Sequence, residues 1–259
     1  LNKSYTGFLL LVLLVFSGLL FCCVKKQHYR NNENKQEETD FANTDNVIQL
    51  SFAKSGVSFT ATLGIAQGQR VEVGGAEHVQ MQENGMVTIT LSGETCSLVG
   101  NVKSISIIKN DELSQLRIKS TSLINAHFSF LPALQSLKLI CPELQKLSCA
   151  YTSLQSLHLN QSPKLLSLSC EHSKLNELHI NRCTLLRTVV CNDNYLTELN
   201  LKYCTDLQTL HCQNNRLSNL VISPLNRLRK LNYENNFLPA ENVKTIIESL
   251  AKKFGTSKS

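Results

Sequence analysis

One apolar row recurs at a fixed step through more than half of the chain: Val102, Leu123, Leu144, Leu165, Leu186, Leu207 and Leu228, each 21 residues after the last. A second row lies about half a period away, at Leu113, Leu134, Leu154, Leu175, Leu196, Leu217 and Leu238, and only the step from Leu134 to Leu154 departs from 21. A fixed period of this length marks a solenoid, in which no turn can bury its own apolar edge and each is covered by its neighbours. The offset between the rows means that the chain turns twice per repeat. Each half-turn is spelled L-x-x-L-x-(C, L or I), as in LLSLSC from Leu165 to Cys170 and LNELHI from Leu175 to Ile180. Alternation at the end of that motif makes a short two-faced strand, with Leu168 and Cys170 inward and Ser167, Ser169 and Glu171 outward. Stacked at the strand spacing of about 4.8 Å, six turns span roughly 30 Å. Aromatic residues make up 6% of the chain and Trp is absent, so the interior of this thin stack is built from Leu, Ile, Val and Cys.

The cysteines fall into the same period. Cys149, Cys170, Cys191 and Cys212 step by 21 through an inward site that Phe128 fills one turn earlier and Tyr233 one turn later. Cys183 and Cys204 form a second short row, joined by Cys141 if the one-residue deletion precedes it. A metal centre needs thiols that converge on one point, with each sulfur about 2.3 Å from the ion. A straight ladder does not converge, and parallel side chains about 4.8 Å apart miss the Cβ separation near 3.8 Å that a disulfide prefers. The ladder therefore reads as reduced, buried thiols acting as small hydrophobes. A polar row follows it, Thr152, Ser173, Asn194, Asn215 and Asn236, placed to bond the backbone of each bend.

The string LRTVVCNDNYLTELNLKYCTDLQTLHCQNNRLSNL, and the period from Val102 to about Leu238, resemble the cysteine-ladder leucine-rich repeats of internalin-like bacterial surface proteins. This sequence departs from that pattern at Ile107 and Phe128, which replace Cys in the early turns, and at Leu225 and Tyr233 near the end. The resemblance implies a curved solenoid, surface display, and adhesion or host-protein binding, without fixing a ligand. The expected fold is thus a mostly β member of the α/β repeat class, a leucine-rich-repeat stack over residues 102–238 with a cap at each end. The N-terminal cap, residues 47–101, reads as strands at Val47–Phe52, Gly56–Ile65, Gln69–Val73 and Met86–Leu91, with a hairpin turn at Asn84-Gly85. It resembles the small β-rich segment that often precedes such repeats in Bacteroidetes-type lipoproteins. Residues 239–259 read as a capping helix, with Val243, Ile246, Ile247 and Leu250 at helical spacing.

Residues 1–23 read as a targeting segment: Lys3, then an apolar run from Phe8 that closes on Cys22 and Cys23. A polar tether, residues 24–46, follows. The run resembles a bacterial lipoprotein signal, with Cys23 or Cys22 as the lipidated residue. An uncleaved anchor helix and an ordinary cleaved signal are the alternatives, since about 17 apolar residues sit at the short end of a membrane span. Each places the remainder outside the cytoplasm or facing away from it, and the lipid-anchored reading puts it in the bacterial cell envelope, at the outer membrane or cell surface.

A net charge of +6, with basic and acidic residues interspersed, excludes a nucleic-acid binder. No G-x-S-x-G, H-E-x-x-H, P-loop or EF-hand string occurs. His158 and His179 lie 21 apart on an outward face, but two imidazoles without a third ligand do not make a metal site. No catalytic residue, cofactor or metal is expected. The outward rows of the cysteine half-turn form one broad surface, and its possible ligand-contacting residues are Glu171, Val190, Asn192, His211 and Gln213. That surface is short of the aromatic and Arg anchors that dominate protein interfaces. The expected function is binding of a protein or glycan by an adhesin-like module, and the alternative is an envelope structural protein with no external ligand.

Overall fold

The turn length read from the leucine rows is the turn length of the fold, a mostly β solenoid with turns of about 21 residues and a C-terminal helix. The computed structural model describes residues 8–16, 19–27, 45–67, 69–82, 85–222 and 227–255. They fall into two compact units, one within Leu1–His127 and Leu131–Cys141, the other within Phe128–Phe130 and Pro142–Ser259.

The first unit contains β1 (Phe8–Phe16), β2 (Leu19–Gln27), β3 (Val47–Phe52), β4 (Ser58–Ile65), β5 (Arg70–Gly74), β6 (Ala76–Met81), β7 (Met86–Leu91), β8 (Thr95–Gly100), β9 (Val102–Ile108), β10 (Leu113–Lys119), β11 (Asn125–Ser129, which runs on into the second unit) and β12 (Ser136–Ile140). One sheet has the order β12-β10-β3-β8-β5-β1-β2, and β9, β4, β7 and β6 are neighbours in another. Strict alternation builds its core: Val87, Ile89 and Leu91 of β7 are fully buried while the residues between them are half-buried. The expected border after residue 101 is not where the units part. The first repeat strands, β9 and β10, are seven residues long and pair antiparallel with the cap strands β4 and β3. The early turns are thereby sewn into the cap. Strands β6 and β8 were not legible in the sequence. The β6–β7 hairpin turns through Gly85, at φ 79°, where a left-handed backbone calls for glycine, while Asn84 lies outside the described residues.

The apolar run near the N-terminus is extended, not helical: β1 pairs antiparallel with β2 and with β5. Cys22 and Cys23 lie in β2, where only the backbone is described. No helix among the described residues is long and apolar enough to cross a membrane.

The second unit carries β13 (Lys146–Ser148), β14 (Ser156–His158), β15 (Ser167–Ser169), β16 (Glu177–His179), β17 (Thr188–Val190), β18 (Glu198–Leu201), β19 (Thr209–His211), β20 (Asn219–Ile222), β21 (Lys230–Asn232) and α1 (Ala240–Gly255). The odd-numbered strands form one parallel sheet in which each residue faces its counterpart 21 positions on, as Ser169 faces Val190 and Val190 faces His211. The even-numbered strands form two separate pairs, β14 with β16 and β18 with β20. Leu165, Leu168, Leu186, Leu196 and Leu210 are fully buried. Leu178 is only half-buried, contrary to the inward position that its motif predicts; it sits in β16, the last strand of its pair, where the ladder stops. In α1, Ile246 is buried but Ile247 is 54% exposed, so the apolar stripe is narrower than its sequence implies. The Asn242 side chain ties the helix to the repeats by donating to the Leu220 carbonyl at 3.3 Å. The side chain of Leu250 is outside the described residues.

Candidate binding surface of the repeat unit

Two interior columns hold the turns in register. Cys149, Cys170, Cys191 and Cys212 are free thiols with no solvent exposure, and Cys141, Cys183 and Cys204 are buried likewise. Burial pushes Cys149 and Cys212 up to about 12. Burial and the neighbouring rungs raise Cys170 and Cys191 well above the ordinary thiol value. Burial of this kind disfavours the thiolate that nucleophilic attack and metal ligation need. Beside them, each asparagine of the polar column binds four backbone groups. Asn194 donates to the carbonyls of Cys170 at 2.9 Å and Cys191 at 3.1 Å, and accepts from the Leu175 N–H at 3.0 Å. Thr152 and Ser173 occupy the same column in the earlier turns and bond each other at 3.0 Å.

The parallel sheet gathers the expected ligand-contacting residues onto one side, in two adjacent columns. Glu171, Val190, His211 and Gln213 are half-buried there, because counterparts on neighbouring strands cover one another. Ser169 donates to Glu171 at 2.5 Å. Asn192 does not face outward freely: it is buried and donates to Asp193 at 2.6 Å. Gln213 keeps a buried side-chain oxygen without a partner among the described residues. This face is polar and nearly flat in chemistry, with no aromatic anchor.

A row of exposed aromatic residues lies at the turn beyond that sheet. Phe130, Tyr151, His172, Asp193, Asn214 and Asn235 recur every 21 residues, and all have left-handed backbone with φ between 51° and 58°. The amide of each of the first five donates to a carbonyl in the following turn, as Tyr151 does to Glu171 at 3.0 Å. A left-handed conformation costs a residue with a Cβ about 1–2 kcal/mol and is tolerated best by Gly, Asn and Asp. The last three turns obey that preference, and their side chains run together: Asn214 donates to Asp193 at 2.7 Å and Asn235 to Asn214 at 2.7 Å.

The first three do not. Phe130, Tyr151 and His172 stack face to face, with centroids 4.5 and 4.6 Å apart and planes within 9° and 18°. His172 Nε2 lies 3.5 Å from Asp193, joining the ring stack to the amide row. Partial burial raises the Asp193 carboxyl, but hydrogen bonds from Asn192 and Asn214 and the His172 charge outweigh it and hold the group below its usual value. Two residues further along the same turns come Tyr195, Arg216 and Phe237. The Arg216 guanidinium sits 4.7 Å from the Tyr195 ring centroid, and Phe237 is 72% exposed. This edge was not legible in the sequence because its two columns change residue type at nearly every turn, only Asn214 and Asn235 repeating. The only sequence signal was the spacing itself, together with the Asp and Asn that turns favour at the later positions.

On the other half-turn, β14 and β16 bring His158 and His179 into stacked contact, with centroids 4.4 Å apart and planes within 6°. Glu177 joins them, with a carboxylate oxygen 3.1 Å from His179 Nε2. The 21-residue spacing pairs two imidazoles without a third donor; the strand geometry supplies one.

No protein-family model matches the chain, and no curated protein matches it. Among solved structures it is similar to the functional domain of InlJ from Listeria monocytogenes, which includes a cysteine ladder; the TM-score is 0.37 at 19% identity. The match covers 62% of this chain and 50% of that one, so the chain spans about half the length of the structure it matches. The repeat architecture described above stands on the strand ladders themselves.

Proposed function

We propose that the chain is a binding module that docks a protein partner along the turn edge formed by Phe130, Tyr151, His172, Tyr195, Arg216 and Phe237. The observation that carries this reading is the placing of Phe130 and Tyr151 at left-handed positions, with 45% and 42% of their surface exposed, where Asn serves in later turns. Backbone strain held by aromatic residues that stay this exposed, offset within the fold only by their mutual stacking, points to use. Tyr and Arg are also the residue types that carry most interface energy. A glycan fits less well, because sugars stack on open ring faces. Tyr151 has a ring on each side, and Tyr195 is covered by Arg216. We place the module at the bacterial cell surface or envelope, adhesin-like and held by the N-terminal segment with Cys23 or Cys22 lipidated; the apolar run, the two cysteines and the polar tether of the sequence support that placement.

The test is a pull-down with the purified protein, repeated with a variant carrying Tyr151→Asn, Tyr195→Ser and Phe237→Ser. Loss of the captured protein, with unfolding unchanged, supports the edge. Undiminished capture by this variant, and loss on changing Val190, His211 and Glu171, overturns it in favour of the sheet face. Labelling by a fatty-acid analogue, abolished when Cys22 and Cys23 are both replaced by Ser, tests the anchor. Clipping by added protease on intact cells tests display.

A further inference from the structure

We infer that His158, Glu177 and His179 form a binding site for a divalent transition-metal ion of the zinc, nickel or copper type. The argument starts from register. β14 and β16 pair in parallel, so that Ser156 faces Glu177, Leu157 faces Leu178 and His158 faces His179. Residues two apart on a strand share a face, which puts Glu177 and His179 on the side where His158 also projects. Each of the three offers one ligand atom, and these atoms lie within 4.8 Å of one another. His158 and Glu177 are exposed and His179 is half-buried, so an ion reaches them directly from solvent.

Two imidazole nitrogens and one carboxylate oxygen are borderline donors that suit zinc, nickel and copper over calcium or magnesium. Their bonds to zinc are about 2.0–2.2 Å, which requires the donors to draw together around one point. In the stacked arrangement the two ring planes are nearly parallel, and an ion between them would sit off both planes. Swinging each exposed ring about its second side-chain torsion, which is broad and soft for His, brings both nitrogens to bear. Glu177 is already in contact with His179 and needs only to turn its second oxygen. Water completes the coordination. The site joins two adjacent turns through side chains, at a place where the backbone ladder is three residues long and ends at β16. A bound ion therefore staples those turns and stabilises the native state by mass action. The buried thiols do not compete, since none of the ladder cysteines is exposed.

The experiment uses the full chain without any histidine tag, with Zn²⁺ alone titrated calorimetrically and by NMR of the imidazole rings. The result expected is one equivalent bound at sub-millimolar Zn²⁺, with shifts confined to two histidines and a rise in the unfolding temperature. His158→Ala with His179→Ala should abolish the equivalent and the rise, and Glu177→Gln should weaken binding severalfold. All three side chains are at the surface, so unchanged unfolding of the variants in the absence of zinc shows that the fold is retained. Failure of the wild-type protein to take up an equivalent overturns the proposal, as does an equivalent kept by the double variant.

Discussion

The side-chain amide of Asn215 donates to the carbonyl of Cys191, one full turn behind it, at 2.9 Å. The same nitrogen reaches the Cys212 carbonyl at 3.1 Å, and its oxygen accepts from the Leu196 N–H at 3.0 Å. Asn215→Ala would leave the buried Leu196 N–H without its acceptor, at a cost of about 1–3 kcal/mol, while the Cys191 and Cys212 carbonyls keep the Asn194 and Asn236 amides at 3.1 and 3.0 Å. Urea unfolding should show a loss of at least that size, whereas Asn214→Ala, on the exposed neighbour, should lose much less. Equal losses would show that the column is not a structural bridge.

The burial of the leucine rows gives a second expectation. Leu168→Ala should cost about 2–5 kcal/mol, as a fully buried large-to-small change. Leu178→Ala should cost clearly less, because that residue is half-buried at the end of its ladder. Denaturation midpoints of the two variants measured side by side decide it.

Thiol chemistry provides a third. In a variant with Cys22→Ser and Cys23→Ser, the other eight cysteines are all buried and free. A thiol reagent at neutral pH should find almost none of them in the native protein and all eight after denaturation without reductant. Low counts in both states would indicate disulfides.

Asp193 makes the acid limb of stability testable. Its native carboxyl is held below the usual value by Asn192, Asn214 and His172 against the opposing effect of burial. A depressed native value contributes stability that is present above the unfolded value, about 3.9, and is lost as pH falls through the folded one. The stability difference between wild type and Asp193→Asn should therefore shrink as the pH is lowered from neutrality through that range. A constant difference would mean that the carboxylate is not linked to folding.

The left-handed column sets two effects against each other. Tyr151→Asn relieves about 1–2 kcal/mol of backbone strain and forfeits two ring contacts worth about 0.5–1.5 kcal/mol each at most. Thermal unfolding should move little in either direction. A large loss would mean that the stack is structural and would remove the ground for assigning it to binding.

The period, the inward cysteines and the asparagine column were legible because each is written in one residue type that repeats. Val102 through Leu228 announce the turn length without any knowledge of the fold. Phe130, Tyr151 and His172 were not legible as one feature, since what they share is a backbone angle that three different side chains conceal. Glu177 was not legible for another reason: its relation to His158 runs across a strand pair, off the 21-residue column that links the two histidines. The early turns were placed with the repeats by spacing, yet β9 and β10 pair with cap strands, an association that spacing does not encode.

The single irregular step, from Leu134 to Leu154, carries a consequence for how such a chain can change length. Every backbone amide at the left-handed turn from Phe130 to Asn214 finds its acceptor in the next turn at the same phase. Removal of one residue shifts all later partners by one, and a strand shifted by one turns its leucines to solvent. Insertion or loss of a whole turn shifts nothing. The protein is thus quantised in length: whole 21-residue turns preserve the pairing, and at its one irregular step the first row still runs Leu123, Leu144, Leu165, so the residue missing between Leu134 and Leu154 is regained before Leu165.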